Sequence, residues 1–233
     1  MEVTVVIPCY NEEASLPPLL ERLDRLDPRS RGWDVLFVND GSRDGTAGLL
    51  DREIPARKWA RVQHHERNRG LGAALRTGFA HTRAEIVCTI DCDCTYPPER
   101  LPELIDALAG AGVATASPWH PSLRTGDVPW VRQILSRGVS VLYRLVLGRR
   151  IYTFSSIFRA YRREVLDKVR FDSPGFPAVT EILVKALLAG YRVVEVPIPL
   201  GTRRFGESKM SVGQAIRGHI DLLGKTLRWK FVQ

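Results

Sequence analysis

The stretch AEIVCTIDCDCTYPPER, residues 84–100, places acidic side chains directly after an apolar run. The run itself (84–91) predicts a buried strand, and the apolar spacing that begins with PPERL (97–110) predicts a helix. Between these two elements, residues 91–94 hold two aspartates and two cysteines. In α/β proteins, ligands bind beyond the carboxyl ends of the strands. The stretch therefore predicts an α/β fold with a polar site at this strand end.

The order of strand, turn and helix in this stretch recurs along the first half of the chain. Apolar runs predict further strands over 3–8, 33–40 and 61–66, and helical spacing follows each of them. Ser15 is the predicted N-cap of the helix over 13–26. This alternation is typical of a mostly parallel central sheet flanked by helices. Such a sheet would bring the segments PCYNEE, NDGS, ERNRG and DCDC to one edge.

The second half of the chain is less regular and ends in a basic amphipathic helix. The helical spacing of the last segment places its apolar residues on one face, opposite Lys and Arg. Such a helix suits either core packing or an anionic membrane surface. We therefore divide the chain into a main domain over 1–210 and this helix over 211–233. The apolar positions are Val212, Ala215, Ile216, Ile220, Leu223, Leu227 and Phe231, and the other predicted elements are strands over 113–117 and 192–200 and helices over 130–148 and 180–190.

Composition describes a globular chain with a basic second half. The hydrophobic fraction of 44% and the charged fraction of 26% match ordinary soluble domains. The start MEVTVVIPCYNEE lacks the pattern of a signal peptide, and no apolar run reaches a membrane span, so we expect a cytoplasmic protein. Eleven arginines lie between residues 124 and 192, and the net charge is +8. This charge indicates an anionic partner, which is a nucleic acid, a phosphorylated substrate or an anionic membrane.

The three cysteines at positions 88, 92 and 94 raise the question of a zinc site. A structural zinc site needs about four Cys or His ligands, usually as two closely spaced pairs. No cysteine follows Cys94, and His120 and His219 stand alone. The second pair is therefore missing, and the sequence favours reduced thiols over a zinc site.

The aspartates in the same stretch suit a harder metal ion. Asp91 and Asp93 are two residues apart, so extended backbone points both carboxylates to the same side. Oxygen ligands of this kind suit a divalent ion that also binds a diphosphate. The same pair also suits a cap for the helix that begins near Pro97, so the spacing alone leaves both interpretations open.

The ordered set of motifs resembles the family 2 glycosyltransferases of the GT-A fold. The set is PCYNEE, VNDGSRDGT, RNRGLGAALRTGF and DCDCTYPPE, followed by SSIFRAYRREVL, TEILVKALLAGYRVVEVPI and RRFGESKMS. It looks like the branch that includes dolichol-phosphate mannose synthase and bacterial polyprenyl-phosphate glycosyltransferases. The resemblance covers essentially the whole chain. It implies a GT-A catalytic domain over 1–210 with a mostly parallel central sheet.

The resemblance implies a donor site at the strand ends. In the family, the Pro, Tyr and Glu of a PxYNE motif hold the nucleotide base, and they fall on Pro8, Tyr10 and Glu12. The acidic residue that reads the base falls on Asp40, which follows Asn39 where the family often has a first aspartate. Asp91 and Asp93 match the DxD pair that binds Mg²⁺ or Mn²⁺, with Asp93 the direct ligand and Asp91 nearer the ribose and diphosphate. The mannose synthases commonly carry Gln at the position of Thr95, and Cys92 falls where the family commonly has Ala.

The resemblance also implies a basic acceptor site. A phosphate monoester is already largely ionised at neutral pH, so its transfer reaction needs cations rather than a general base. Arginine binds phosphate through two N–H groups, and lysine acts as a point charge. The residues that match the acceptor motifs are Arg132, Ser136 and Arg137 of RQILSRG and Arg203, Arg204, Ser208 and Lys209 of RRFGESK.

Two departures from the mannose synthases leave the acceptor open. Pro118 stands where their SRY motif has a cation, and residues 155–159 read SSIFR where they favour SGFR. If the acceptor is a hydroxyl of a glycan, lipid or small metabolite, Glu181 is the candidate catalytic base. Its other interpretation is a carboxylate near a helix N-terminus.

These features lead to a ranked set of functions. The first is an inverting, metal-dependent transferase that moves a hexose from a donor of the GDP-mannose or UDP-glucose type to polyprenyl or dolichyl phosphate. We expect this enzyme to act at the cytoplasmic membrane face with peripheral membrane contact. The second is transfer to a hydroxyl acceptor, and the third is a nucleotide-sugar binding protein without catalysis. A nucleic-acid partner is disfavoured, because the acidic strand ends would repel the phosphate backbone.

Overall fold

The computed structural model describes residues 2–123, 130–201 and 212–232. Strands and helices alternate along most of the chain, as predicted. The strands are β1 (Val3–Cys9), β2 (Trp33–Asn39), β3 (Ala60–His64), β4 (Ile86–Thr89), β5 (Val113–Ala116), β6 (Arg159–Arg162) and β7 (Val193–Val196). The helices are α1 (Leu16–Leu26), α2 (Thr46–Glu53), α3 (Leu71–Ala80), α4 (Leu101–Asp106), α5 (Trp130–Leu147), α6 (Arg163–Lys168), α7 (Pro177–Leu188) and α8 (Val212–Val232), with a 3₁₀ turn over Pro98–Arg100.

The seven strands form one sheet in the order β3-β2-β1-β4-β6-β5-β7. Neighbours β1–β2, β2–β3, β1–β4 and β5–β7 are parallel, whereas β6 is antiparallel to both β4 and β5. The prediction of a mostly parallel sheet is confirmed. Strand β6 was not predicted, because its sequence RAYR has no apolar run and two of its four residues are arginine.

Side-chain alternation along the strands builds an apolar core on each face of the sheet. In β1, Val3, Val5 and Ile7 face the layer that contains α1 and α4, whereas Val6 faces the layer that contains α3 and α7. Helix α1 closes the first layer with five leucines at helical spacing, all buried. Burial of apolar area on both faces is what holds the central strands in register.

Ser15 occupies the predicted N-cap position of α1 but makes no side-chain bond to the helix backbone. Its hydroxyl donates to Oε2 of Glu12 at 2.7 Å instead. The start of α1 is fixed by Pro17 and Pro18, which are pre-organised for a first helical turn.

The terminal helix α8 forms as predicted and packs against α7 and α5. It does so through a face that includes Leu222 and Thr226, which are fully buried. The predicted apolar face lies to one side of this contact, and Ile216, Ile220 and Phe231 are exposed. In the described part of the chain, none of the helices combines the length and the apolar character needed to cross a bilayer.

Candidate active site

The carboxyl ends of β1, β2 and β4 lie at one edge of the sheet, because these strands are parallel and adjacent. The loops at this edge are 10–15 after β1, 40–45 after β2 and 90–97 after β4. Strand β6 is antiparallel, so the segment 155–158 that precedes it reaches the same edge. The fold therefore brings the predicted donor motifs together, next to segment 155–158, which Ser136 of a predicted acceptor motif contacts.

The loops after β1 and β2 are joined into one unit by hydrogen bonds. Asn11, which has a left-handed backbone with φ of 53°, accepts from the Arg43 N–H through Oδ1 at 2.7 Å. The Asn11 N–H donates to the Ser42 hydroxyl at 3.0 Å, and the Glu12 N–H donates to the Thr46 hydroxyl at 2.8 Å. These partners of Asn11 were not predicted from the sequence. Together the bonds fix the loop that carries Tyr10 and Glu12, both partly exposed.

Asp40 is buried and holds the loop that follows β3. Its Oδ1 accepts from His65 Nδ1 at 2.6 Å and the Arg69 N–H at 3.0 Å. Its Oδ2 accepts from Asn68 Nδ2 at 3.0 Å and the Gly70 N–H at 2.7 Å. A carboxylate offers about four lone-pair sites, so these four donors occupy them. The predicted contact between Asp40 and the nucleotide base stays a prediction, and it would require one of these donors to be displaced.

The DxD turn is shaped by Thr95, which is buried. Both the backbone N–H and the hydroxyl of Thr95 donate to Oδ1 of Asp93, at 2.9 and 2.8 Å. The side chain of Asp93 thus closes an Asx turn on the residue two positions ahead. At the position where the mannose synthases commonly carry Gln, this chain therefore has a threonine that donates two hydrogen bonds to Asp93.

Three further contacts anchor this turn to the rest of the edge. The Gly201 N–H donates to the Thr95 carbonyl at 2.8 Å, so Gly201, which follows β7, lies beside the DxD turn. The rings of Tyr96 and Phe158 lie 5.3 Å apart between centroids. The Sγ atoms of Cys9 and Cys92 lie 3.2 Å apart. These contacts connect the DxD turn to the end of β1, to the segment before β6 and to the segment after β7.

Asp91 and Asp93 fit a hard divalent ion that completes its shell with ligands from the substrate. Both are partly exposed at the end of β4. Mg²⁺ is commonly held by one or two carboxylates together with substrate phosphates and water. No group of three or more His, Cys, Asp and Glu side chains that could hold a metal occurs in residues 2–123, 130–201 and 212–232. This donor set suits an ion shared with a diphosphate rather than a closed structural site.

Ser136 and Arg137, two of the predicted acceptor residues, lie on α5 beside segment 155–158. The Ser136 hydroxyl accepts from Trp119 Nε1 at 2.9 Å and contacts the Ser155 hydroxyl at 3.0 Å. The Arg137 guanidinium lies over the Trp119 ring at 5.0 Å from its centroid. Trp119 follows Pro118, the position where the sequence departs from the SRY motif. A cation is therefore present here, but α5 supplies it and Trp119 positions it.

Ser156 and Arg159 complete this side of the edge. Ser156 is buried, and its hydroxyl has no hydrogen-bond partner within the part of the chain that the structure describes. Arg159 is fully buried and donates to the hydroxyl of Thr115 and to the carbonyls of Phe154 and Val179. These bonds hold the segment that carries Ser155 and Ser156 against β5 and α7. Sequence reasoning did not assign a role to Arg159.

Comparison with known proteins agrees with this geometry. Residues 4–170 match the family model described as glycosyl transferase family 2. The chain belongs to glycosyltransferase family 2. The resemblance stated from the motifs is confirmed.

Relatives of this family 2 glycosyltransferase align along nearly its whole length. It is 36% identical to polyprenol monophosphomannose synthase of Mycolicibacterium smegmatis, over 97% of this chain and 85% of the relative. It is 33% identical to undecaprenyl-phosphate mannosyltransferase of Micrococcus luteus, over 99% and 97%. It is 30% identical to dolichol-phosphate mannosyltransferase of Pyrococcus furiosus, over 99% of this chain and 65% of the relative.

Solved structures of glucosyl-3-phosphoglycerate synthase from Mycobacterium tuberculosis share the fold. One, a complex with UDP, gives a TM-score of 0.71 at 20% identity and covers 98% of this chain and 80% of its own. Another, a complex with Mn²⁺, UDP-glucose and phosphoglyceric acid, gives 0.73 at 21% identity and covers 98% and 79%. At this level of identity the likeness concerns the fold alone, and the prediction of a GT-A fold is confirmed.

Glu181 of the family 2 glycosyltransferase lies in the first half of α7 and is buried. Its carboxylate accepts from Lys185 Nζ at 2.7 Å and from the Ser173 N–H at 2.9 Å. Burial raises the pKa of Glu181, but the hydrogen bonds from Lys185 and Ser173 more than offset it, and the net pKa lies below its ordinary value. A carboxylate with a lowered pKa is a weaker base, so its role as a catalytic base stays a prediction that the bonding does not favour.

Several predicted acceptor residues lie outside the described part of the enzyme. These are Arg203, Arg204, Ser208 and Lys209, together with the side chain of Arg132, whose backbone lies in the first turn of α5. In the sequence the first four follow Gly201, which is bonded to Thr95. Their assignment to the acceptor phosphate stays a prediction.

Proposed function

We propose that this enzyme transfers a hexose from a nucleotide-diphosphate sugar to polyprenyl or dolichyl phosphate, with inversion at the anomeric carbon. The observation that carries the proposal is the position of Asp91 and Asp93, at the edge where the two donor loops and the hydroxyl-rich segment 155–158 meet. The names of relatives that are 33–36% identical along nearly the whole chain support a polyprenyl phosphate acceptor and a mannosyl group. A donor of the GDP-mannose type fits the mannosyl group, and a donor of the UDP-glucose type is the alternative.

The donor half of the proposal assigns the nucleotide to the unit formed by the first two loops. Pro8, Tyr10 and Glu12 would hold the base, and Asp40 would contact it after the displacement of one of its present donors. Asp91 and Asp93 would hold Mg²⁺ or Mn²⁺, which as a Lewis acid neutralises charge on the leaving diphosphate. Thr95 would keep one oxygen of Asp93 in a fixed orientation, since it donates two hydrogen bonds to that atom.

The acceptor half assigns the attacking oxygen to a phosphate monoester. An oxygen of the phosphate forms the new bond to the anomeric carbon while the bond from that carbon to the diphosphate breaks. The attacking group is already ionised at neutral pH, so no base has to remove a proton from it. The Glu181 carboxylate is bonded to Lys185 and Ser173, so it is not available as a base without breaking these bonds. A phosphate acceptor needs no base, and this bonding therefore favours a phosphate acceptor over a hydroxyl. The cations are Arg132, Arg137, Arg203, Arg204 and Lys209, with the hydroxyls of Ser136 and Ser208.

A second part of the proposal concerns an exposed apolar surface on α5 and α8, which pack against each other. We define the α5–α8 surface by Val141, Leu142, Leu145, Ile216, Ile220, Leu227 and Phe231, all exposed. Helix α5 has three basic residues and no acidic one, and α8 has four basic residues and one acidic one. An apolar face with basic flanks is suited to the interface of an anionic bilayer. We propose that this surface holds the enzyme peripherally at the cytoplasmic membrane face, where a lipid-linked acceptor is present.

The experiment that tests the proposed reaction is a screen of GDP-mannose, UDP-glucose and related donors against a short polyprenyl phosphate, with Mn²⁺ or Mg²⁺. We expect transfer with one donor and its loss in excess chelator or on Asp93→Ala. Asp106→Ala, on the exposed end of α4, is the matched control and should leave transfer unchanged. Full activity in excess chelator would contradict the assignment of a metal to Asp91 and Asp93.

A second comparison distinguishes the two classes of acceptor. If a phosphate is the acceptor, Arg203→Ala and Lys209→Ala should each lower kcat/KM more than Glu181→Gln does. If a hydroxyl is the acceptor, Glu181→Gln should abolish transfer in a protein that remains folded. Transfer only to a glycan or metabolite hydroxyl, with none to polyprenyl phosphate, would favour the second class.

A further inference from the structure

Cys9 and Cys92 form a buried thiol pair across the ends of β1 and β4. The two strands are parallel, and their register ends with Val6 opposite Thr89. Cys9 is the last residue of β1, and Cys92 lies in the turn three residues beyond the end of β4. Backbone pairing continues in this direction, because the Ile90 N–H donates to the Val6 carbonyl at 3.3 Å. Neighbouring strands lie about 4.8 Å apart, which is within the Cα separation that a disulfide spans.

The sulfur atoms of the pair are already close. Their separation is 3.2 Å, compared with roughly 3.5–4.0 Å for packed non-bonded carbon atoms and about 2.05 Å for a disulfide. Packing alone would explain two buried cysteines, since a thiol behaves as a small hydrophobe. It does not require the two sulfur atoms to face each other, which they do here.

The position of the pair links it to the active site. Cys9 lies between Pro8 and Tyr10 of the donor loop, and Cys92 lies between Asp91 and Asp93. A bond between the sulfur atoms would join the two segments that the donor nucleotide and its metal would contact.

We propose that Cys9 and Cys92 are a reversible oxidation site, at which a peroxide converts the two thiols into a disulfide and thereby lowers transfer. In the first step, the thiolate of one cysteine attacks a peroxide oxygen, the O–O bond breaks, and the leaving hydroxide becomes water. In the second step, the other thiol loses its proton and attacks the sulfenic sulfur, and the hydroxide released takes up that proton. The balance is two thiols and one hydrogen peroxide to one disulfide and two waters.

Closing the pair would shorten the sulfur separation by about 1 Å, and rotation of the two side chains together with shifts of the flanking backbone would supply that change. Asp93 is held on the other side by Thr95, so the turn cannot follow Cys92 without changing the carboxylate positions. A misplacement of about 1 Å in an active site can lower the rate by about a hundredfold. We expect oxidation to lower kcat/KM by about tenfold or more, and a dithiol reductant to restore it.

The test uses the full chain as wild type, Cys92→Ala and Cys94→Ser. Cys92→Ala removes one partner with a residue that fits a small buried site, and Cys94→Ser leaves the pair intact while it removes the neighbouring, partly exposed thiol. Each protein is treated with hydrogen peroxide, the excess is destroyed with catalase, and disulfide-linked peptides are mapped by mass spectrometry. Mannosyl or glucosyl transfer is measured before treatment, after it, and after reduction with dithiothreitol.

We expect a peptide linked between Cys9 and Cys92 in wild type and Cys94→Ser, together with a reversible loss of transfer. Cys92→Ala should form no such link and keep its activity. The proposal is overturned if the link does not form, if it forms without a change in transfer, or if Cys92→Ala loses activity to the same extent. Should Cys92→Ala fail to fold by circular dichroism, Cys9→Ala serves in its place.

The effect on activity rests on the proposed function, whereas the bond itself does not. If no donor and acceptor pair supports transfer by the reduced enzyme, the proposed function has failed. The linked peptide is still observed or not observed in that case, so the two failures are distinguishable.

Discussion

The hydroxyl and the backbone N–H of Thr95 converge on one oxygen of Asp93, at 2.8 and 2.9 Å. This relationship gives a buried threonine a direct influence on the carboxylate that we assign to the metal. A side chain that holds a ligand in place acts like the outer hydrogen-bond partners of metal sites, which tune affinity without touching the ion. Thr95 is therefore a positioning residue in this proposal.

Thr95→Val tests this role, because valine keeps the shape and the backbone N–H but loses the hydroxyl bond. A hydrogen bond to a charged group contributes about 1.5–3 kcal/mol, so we expect kcat/KM to fall about tenfold or more and the apparent Kd for Mn²⁺ to rise. Thr95→Ser keeps the hydroxyl and should stay close to wild type. An equal loss in both variants would instead indicate a packing role for the threonine methyl group.

The turn after β2 provides a second test, at Gly41. Gly41 has φ of +63°, and a Cβ added there would overlap the backbone of Arg67. Gly41→Ala should therefore lower the free energy of unfolding by about 1–3 kcal/mol and weaken nucleotide binding through the displaced loops. Gly48→Ala in α2 has open space around the added Cβ and should stabilise by up to about 1 kcal/mol. Urea unfolding of the two variants measures the contrast, and equal midpoints would contradict this account of the turn.

The sequence predicted the parallel half of the fold because those strands are apolar runs. Buried parallel strands such as β1 and β2 have a continuous β-branched or aromatic signal, and the turn after each carries a recognisable motif. Strand β6 gave no such signal. Its fully buried Arg159 bonds to backbone carbonyls and a hydroxyl, and such burial is visible only once β5 and α7 are packed around it.

The sequence predicted the types and positions of the site residues, but it did not predict their hydrogen-bond partners. The sequence placed Asp91 and Asp93 at a strand end, since two carboxylates two residues apart follow an apolar run. It did not predict that Asp40 would receive four donors from the loop after β3, because that loop is 25 or more residues away in the chain. Long-range contacts of this kind depend on loop closure and have no local pattern.

The ion pair of Glu181 predicts a pH-dependent stability. The pKa of Glu181 is lower in the folded protein than its ordinary value of 4.5, through Lys185 and Ser173. The stabilisation from the ionised carboxylate is therefore present above about pH 4.5 and is lost as the pH falls through the folded pKa. We expect Glu181→Gln to cost about 1.5–3 kcal/mol at pH 7, with a gap to wild type that narrows as the pH falls below 4.5 and through the folded pKa. Unfolding in urea at pH 7 and at pH 3.5 measures this gap, and a constant gap would show that the charge is not the cause.

The α5–α8 surface predicts binding to anionic vesicles. Leu145 and Phe231 are 76% and 81% exposed, so Leu145→Ser with Phe231→Ser should leave folding intact while it removes apolar area from the surface. Burial of each side chain in the bilayer interface is worth about 1.5–3 kcal/mol, so the double variant should bind vesicles of phosphatidylglycerol and phosphatidylcholine at least about tenfold more weakly. Phe176→Ser, which changes an exposed apolar residue outside this surface, is the matched control and should bind like wild type.

Binding of the wild-type protein should also weaken in high salt and with phosphatidylcholine alone, because the basic residues of both helices contribute. Unchanged sedimentation of the double variant with anionic vesicles would exclude this surface as the membrane contact, and a concentration-dependent dimer in solution would identify a second copy as its occupant.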